Sequence, residues 1–561
     1  GPVTKTRPDW QETVEVGATV RNVLWIMADQ LRFDYLSCTG HPHLHTPNID
    51  ALASRGVRFD QAYVQSPVCG SSRMSYYTGR YCRSTGAVWN NVPLRVDELT
   101  LGDYLGELGM RTVLVGKTHM QLDREAMDRL GIDADSRIGV HVSQCGFEPY
   151  ERDDGLHPHE RPSTRDLSYN KYMAERGYSG ENPWHDWANA AEDDNGNILS
   201  GWLLAHADKP ARAKEEDSET PYMTRRAMQF IDEAEAENQR WCCHLSFIKP
   251  HWPSLVPAPY HAMYNHRHLL PVMRHGNERQ NPHPVYDAFM NQRASQVFSR
   301  DGVRDHVLPA YMGLIKQIDD QMGLLMAFLE AKGLLDNTMI VFSSDHGDYL
   351  GDHWMGEKDM FHQQSVRVPL IIYDPRSSAD ATRGTVNEQL VEGIDLLPTF
   401  VEACGGDVRE HVVEGRSLAP LIAGGTLPCW REAVFSEYDY AHQPMTRELG
   451  RKPGETGMTM IFDGRFKLVQ IDGYRPILHD LMEDPEEFFD LGGDPNYGSE
   501  IQRLQKMLLD WALSRKHRVT KSSKSIENYT EKHAQLKAGI YIGYWDEEEV
   551  QLARREAGLP N

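Results

Sequence analysis

The chain is short of cysteine, of positive charge and of long apolar runs, and each shortage closes off a class of protein. Eight cysteines in 561 residues show no framework spacing, and Cys242 and Cys243 are adjacent. A disulfide scaffold is therefore not expected, and a reducing, cytoplasmic setting is. Lys and Arg number 59 against 82 Asp and Glu, a formal net charge of −23. That balance argues against a nucleic-acid partner, because phosphate backbones are bound by basic surfaces. No apolar run approaches the ~20 residues that cross a bilayer, and no signal peptide is visible, so no membrane partner is expected. No internal repeat is visible either.

What remains is an ordinary globular composition, 40% hydrophobic and 25% charged. At ~150 residues per domain the length suggests roughly three to four domains, although large α/β enzymes exceed that in one unit. An acidic protein that binds an anion must do so in a local basic pocket.

Residues 23–28, 112–115 and 339–344 are continuous apolar runs, which read as strands buried on both faces of a parallel sheet. They end in Asp29-Gln30, in Lys117 and His119, and in Asp345-His346. Active sites of α/β folds lie just past such strand ends. If the chain stays extended, Lys117 and His119 point the same way. Strands are also expected at 241–247 and 368–373. Past the first of these, Pro250 and Pro253 pin a loop and orient His251.

Helices are expected from Pro47 to Gly56 with Thr46 as N-cap, from Thr100 to Leu108, and over 223–236, 308–332 and 498–514. Residues 1–20 read as a polar entry arm. His41, His43 and His45 read as solvated or locally packed rather than as a metal site. Residues 121–220 and 254–307 read as irregular, the first as an insertion at the mouth of a site. A composition shift at Gly424-Gly425 marks a boundary. Beyond it, 458–462 and 466–471 form a hairpin around Asp463-Gly464.

The stretch from Ser66 to Tyr81 places Cys69 in a small polar loop and Arg73 four residues on, at the head of an apparent helix. A thiol at a helix start beside a guanidinium has a lowered pKa. The plain alternative is a buried cysteine beside a structural arginine. Cys69-Gly70-Ser71-Ser72-Arg73 followed by Thr78-Gly79-Arg80 resembles the signature of the formylglycine sulfatases and their relatives, the phosphonate monoester hydrolases. The resemblance extends over residues 20–490 through five motifs in order. It departs at Ser71, where the family usually has Pro and sometimes Ala.

The resemblance implies an α/β fold, a large mixed, mostly parallel sheet sandwiched by helices, with a smaller C-terminal antiparallel sheet. It implies a catalytic domain over 1–425, a sheet-plus-helix subdomain over 426–517 and an oligomerisation tail over 518–561, hence a homo-oligomer, dimer or tetramer. Cys69 would be converted by a formylglycine-generating enzyme to formylglycine, whose hydrate is the nucleophile. One divalent ion, Ca²⁺ or Mn²⁺, would be held by Asp29, Gln30, Asp345, His346 and residue 69. Arg73 and Lys117 would stabilise the nucleophile's oxyanion, His119 would act as base, and His251 or Lys358 would serve the leaving oxygen. Asn90, Lys117, His251 and Lys358 would contact a small anionic ester. Gln30 and the Cys-Gly pair lean toward the phosphonate branch, while Lys117 and His119 match the sulfatases. Arylsulfatase is the expected activity, with phosphonate monoester and phosphodiester hydrolysis as the alternative. A non-catalytic relative is the second alternative, should Cys69 stay unconverted.

Overall fold

The structure is a computed structural model that describes residues 19–157, 167–425, 427 and 430–560. All but the end of the entry arm lies outside those residues. In chain order the strands are β1 (Asn22–Asp29), β2 (Val57–Tyr63), β3 (Arg111–Gly116), β4 (Glu148–Arg152), β5 (Ala190–Glu192), β6 (Ile198–Ser200), β7 (Trp241–Pro250), β8 (Thr338–Ser344), β9 (Arg367–Val368), β10 (Leu370–Tyr373) and β11 (Thr385–Glu392). The central sheet runs β11-β2-β10-β8-β1-β7-β3-β4, with β9 also on β2. Pairs β8-β1, β1-β7, β7-β3, β3-β4 and β11-β2 are parallel, while β10 is antiparallel to both neighbours. The sheet is thus mixed and mostly parallel.

β1 shows why its run is continuous. Val23, Trp25 and Met27 enter one apolar core and Leu24, Ile26 and Ala28 the core on the opposite face. Helices cover both sides, Leu396–Ala403 on the first and Glu219–Ala236 and Val303–Ala331 on the second. A separate antiparallel sheet, β12 (Val434–Asp439), β13 (Gly457–Phe462), β14 (Phe466–Ile471) and β15 (Ile477–Asp480), packs on the helix Gly498–Leu513 through Ile461, Leu468, Leu478, Leu504 and Trp511. No helix among the described residues is long and apolar enough to cross a membrane.

Several expectations need correction. Residues 121–220 are not one irregular insertion: they hold the helices Arg124–Leu130, Arg137–Ser143 and Ser168–Glu175 and strand β4 of the central sheet. Residues 254–307 likewise contain the helices Pro284–Met290 and Arg293–Phe298. The strand expected at 368–373 is two strands around Pro369, which has no N–H to give a ladder. The helix expected from Leu308 starts at Val303 and carries Pro309 in its first turns. The helix after Thr100 stops at Gly106. Thr46 is the N-cap residue of its helix, but its side chain caps no backbone N–H of that helix; its hydroxyl accepts from the Ser37 N–H at 3.0 Å.

Candidate active site

Cys69 is the first residue of the helix Cys69–Thr78, all of whose residues are buried. A helix start leaves backbone N–H groups without partners. Here the Gly70 N–H donates to Asn90 Oδ1 at 2.6 Å. A Cβ on Gly70 would lie 2.8 Å from that oxygen, so the glycine lets Asn90 close over the helix start. Ser72 Oγ donates to Asp345 O (2.6 Å) and Tyr76 OH to Ser344 O (2.8 Å), docking the helix on the end of β8. Ser71 Oγ donates to Ser66 Oγ, inside the core.

Arg73 lies behind Cys69, fully buried. Its Nε meets Asp345 Oδ2 at 3.0 Å and its Nη2 meets Asp29 Oδ2 at 3.1 Å. Its Nη1 donates to Lys117 O and Ser246 Oγ at 2.6 and 2.7 Å. The guanidinium is therefore spent on holding the two carboxylates and the ends of β3 and β7. Lys117 Nζ pairs with Asp29 Oδ2 at 2.6 Å.

β3 reaches this point through Gly116, at φ +121°, where a Cβ would lie 1.9 Å from Ser246 O. The chain does not stay extended past it, because His119 is left-handed at φ 58°. Asp154 Oδ1 accepts from the Thr118 and His119 N–H groups at 3.3 and 3.2 Å and fixes that turn. Lys117 and His119 still both reach Cys69.

From the other side, Lys358 Nζ lies 3.6 Å from Cys69 Sγ and 3.1 Å from Gln30 Oε1. It also stands over the Trp252 ring, 5.6 Å from its centroid. His251 Nδ1 donates to Trp252 O at 2.7 Å, which leaves Nε2 for the Cys69 side. Burial, with Lys117 nearby, pushes the His251 pKa down to about 3, so the free site holds a neutral imidazole. Burial alone would raise the Cys69 thiol; Lys117, Lys358 and His346 outweigh it and hold the thiol well below its ordinary range.

The donor atoms of Asp29, Cys69, Asp345 and His346 all lie within 4.8 Å of one another. Asp29 Oδ1 and His346 Nε2 are buried there without hydrogen-bond partners. His346 Nδ1 donates to Gly347 O at 2.7 Å, so Nε2 is the nitrogen turned inward, 3.7 Å from Asp29 Oδ1 and 3.6 Å from Asp345 Oδ1. Burial opposes charge on this ring, yet Asp345 raises its pKa to about 9. An unpaired carboxylate oxygen and an unpaired imidazole nitrogen, buried beside a second carboxylate and Cys69, fit a divalent cation.

Gln30, expected among the ligands, lies beside the same cluster, against Asp345 and Lys358. Its Oε1 faces Lys358, its Nε2 donates to Asp348, and its N–H donates to Asp345 Oδ1 at 3.0 Å. Asn90 is at the helix start, as described. Asp348, Asp154, Ser246 and Trp252 were missed in the sequence. Asp348, three residues past Asp345, was the only one with a local signal.

A sequence profile for the sulfatase family matches residues 21–406. The chain belongs to the sulfatase family. A profile for the C-terminal region of N-sulphoglucosamine sulphohydrolase matches residues 351–514 of this sulfatase-family chain. The chain is 30% identical over 522 residues to the multifunctional alkaline phosphatase superfamily protein PehA of Trinickia caryophylli, covering 88% of this chain and 96% of that one. It is 26% identical over 531 residues to an arylsulfatase of Clostridium perfringens, covering 91% and 98%. Its structure matches phosphonate monoester hydrolase SpPMH from Silicibacter pomeroyi with TM-score 0.78 at 26% identity, covering 90% and 99% of the two chains. The phosphonate monoester hydrolase of Agrobacterium radiobacter gives TM-score 0.77 at 27% identity, covering 89% and 97%. The protein is thus a sulfatase-family hydrolase with relatives in both branches. The family generally uses a metal ion and formylglycine.

Proposed function

We propose that the protein hydrolyses sulfate monoesters, as an arylsulfatase, with residue 69 in formylglycine form. The observation that carries this reading is the cage around position 69. Lys117, Lys358, His119, His251 and His346 all act on Cys69 Sγ, inside a protein of net charge −23. Such a cage suits a small ester anion whose departing oxygen gathers charge, where catalysis is mainly positioning and electrostatic stabilisation.

Asp29, Asp345 and His346, with residue 69, would hold a Ca²⁺ or Mn²⁺ ion, which supplies charge stabilisation for anionic oxygens. The formylglycine form of residue 69 would supply a hydrate oxygen as nucleophile and a route for release of the inorganic anion. The chain's own residues do the rest. Arg73 holds Asp29 and Asp345 in place and keeps them from repelling each other. Lys117 balances the charge of Asp29. His119 takes the proton from the attacking side. Lys358 brings a permanent positive charge to the leaving oxygen, and His251 Nε2 lies beside it. Asn90 fixes the helix start at the edge of the substrate space. In the whole protein, the tail after residue 517 joins copies into a homo-oligomer.

A second reading, phosphonate monoester and phosphodiester hydrolysis, is supported by the TM-scores of 0.78 and 0.77 with two phosphonate monoester hydrolases. Comparing kcat/KM for an aryl sulfate and the matching aryl phosphonate monoester separates the two. The sulfate is expected to be preferred; preference for the phosphonate moves the protein to the other branch.

A further inference from the structure

A second cluster of metal-type side chains lies away from Cys69, where the central sheet meets the C-terminal sheet. Glu278 comes from the turn Gly276–Arg279, His353 from the segment after β8, and His362 from the start of the short helix Gln363–Val366. One donor atom from each lies within 4.8 Å of the other two, and all three side chains are buried. His353 Nδ1 is 2.6 Å from Glu278 Oε2, and the His353 and His362 rings face each other with centroids 4.0 Å apart. A buried ion pair explains the first contact but not the rest of the cluster. His353 Nε2 is fully buried without any hydrogen-bond partner, a costly arrangement in a native core. His353 and Trp354 also have left-handed backbones, at φ 56° and 62°, a conformation that is costly for non-glycine residues and collects at functional sites.

We propose that Glu278, His353 and His362 form a second divalent-metal site, selective for a zinc-class ion. Two imidazoles and a carboxylate are a zinc-type donor set, whereas the Asp29–Asp345 site is richer in oxygen. The supporting shell is in place. Tyr349 OH pairs with His362 Nδ1 at 2.7 Å and leaves that ring one free nitrogen. Tyr286 OH donates to His353 O at 2.6 Å and lies 3.1 Å from Glu278 Oε2, and the His275 N–H donates to Glu278 Oε1 at 3.0 Å. Such partners orient metal ligands and fix their tautomers. A cavity of about 190 Å³, lined by Glu278, His362, His479 and Glu487 among others, adjoins the cluster and leaves room for a fourth ligand. His479 is on β15, its ring centroid 5.8 Å from that of His362. With His479 as that fourth ligand, an ion here would tie the C-terminal sheet to the segment that also carries Asp345, His346 and Lys358.

The test uses full-length protein stripped with a chelator and reloaded with Co²⁺, whose visible absorption is strong in four-coordinate sites and weak in six-coordinate oxygen sites. Asp345→Asn removes a ligand of the first site, so the bound Co²⁺ then reports on the second. This variant is expected to retain about one Co²⁺ per chain with four-coordinate absorption, the geometry of such donor sets. Its Tm should rise on Co²⁺ addition, because a ligand bound only by the folded state stabilises it. Adding His362→Ala should abolish the absorption and the Tm rise. If that protein does not fold, Glu278→Gln in the same background gives the same readout. An Asp345→Asn protein that binds no Co²⁺, or a double variant that binds it as the parent does, overturns the proposal. No substrate is involved, so the outcome is independent of the hydrolytic reading.

Discussion

Arg73 places one guanidinium between two buried carboxylates that would otherwise repel each other. Its partners Asp29 and Asp345 are 44 and 272 residues away in sequence. Removing one member of a buried, paired charge set leaves the others uncompensated. Arg73→Met is therefore expected to cost about 3–5 kcal/mol of stability in a denaturant melt; an unchanged midpoint would mean that Asp29 and Asp345 do not depend on it. Lys358 is proposed to act elsewhere, at the leaving oxygen. Lys358→Ala should lower kcat by roughly 10²-fold for esters with poor leaving groups and much less for good ones. A loss that is uniform across leaving groups would take Lys358 out of that role. At this scale the sequence exposed Asp29, Lys117 and Asp345, because each directly follows an apolar run. It hid the use of Gln30, whose amide is divided between Lys358 and Asp348 by contacts more than 300 residues apart.

The strands set the site by where they stop. β1, β3, β7 and β8 are adjacent in the sheet, so the residues at or just past their ends, Asp29, Lys117, His251 and Asp345, converge. Gly116 is the tightest of these endings. Gly116→Ala would force a methyl into Ser246 O from a left-handed backbone, and should cost at least about 2 kcal/mol while displacing Lys117. Thermal melts and kcat should both fall; an undisturbed kcat would show that the end of β3 does not position Lys117. The central strands were legible because both of their faces are buried. β2 (VRFDQAY) and β11 (TVNEQLVE) mix polar and apolar residues, and β11 lies at the sheet edge with half of its residues exposed. Their place in the sheet comes from pairing with β10 and with each other, which no local pattern announces. β4 was hidden in the same way, inside a stretch dense in charge and proline.

Across the whole molecule, the anion cage sits within an acidic protein, so attraction of substrate must be local rather than long-range. The tail is the other feature at this scale. Tyr529, Ile542 and Trp545 are 70%, 77% and 86% exposed, far more than large apolar side chains in a folded chain usually are. Light scattering on the intact protein is expected to show a dimer or tetramer, and removal of residues 518–561 to yield a smaller species. A monomer in both cases would exclude the tail as an interface. The hydrolytic reading itself rests on the chemical form of residue 69. The most direct test is mass spectrometry of the peptide spanning residues 66–80, made on preparations whose kcat is measured in parallel. The expected result is formylglycine at position 69, in a fraction that rises and falls in proportion to kcat. Full activity with only unmodified thiol at that position would contradict it.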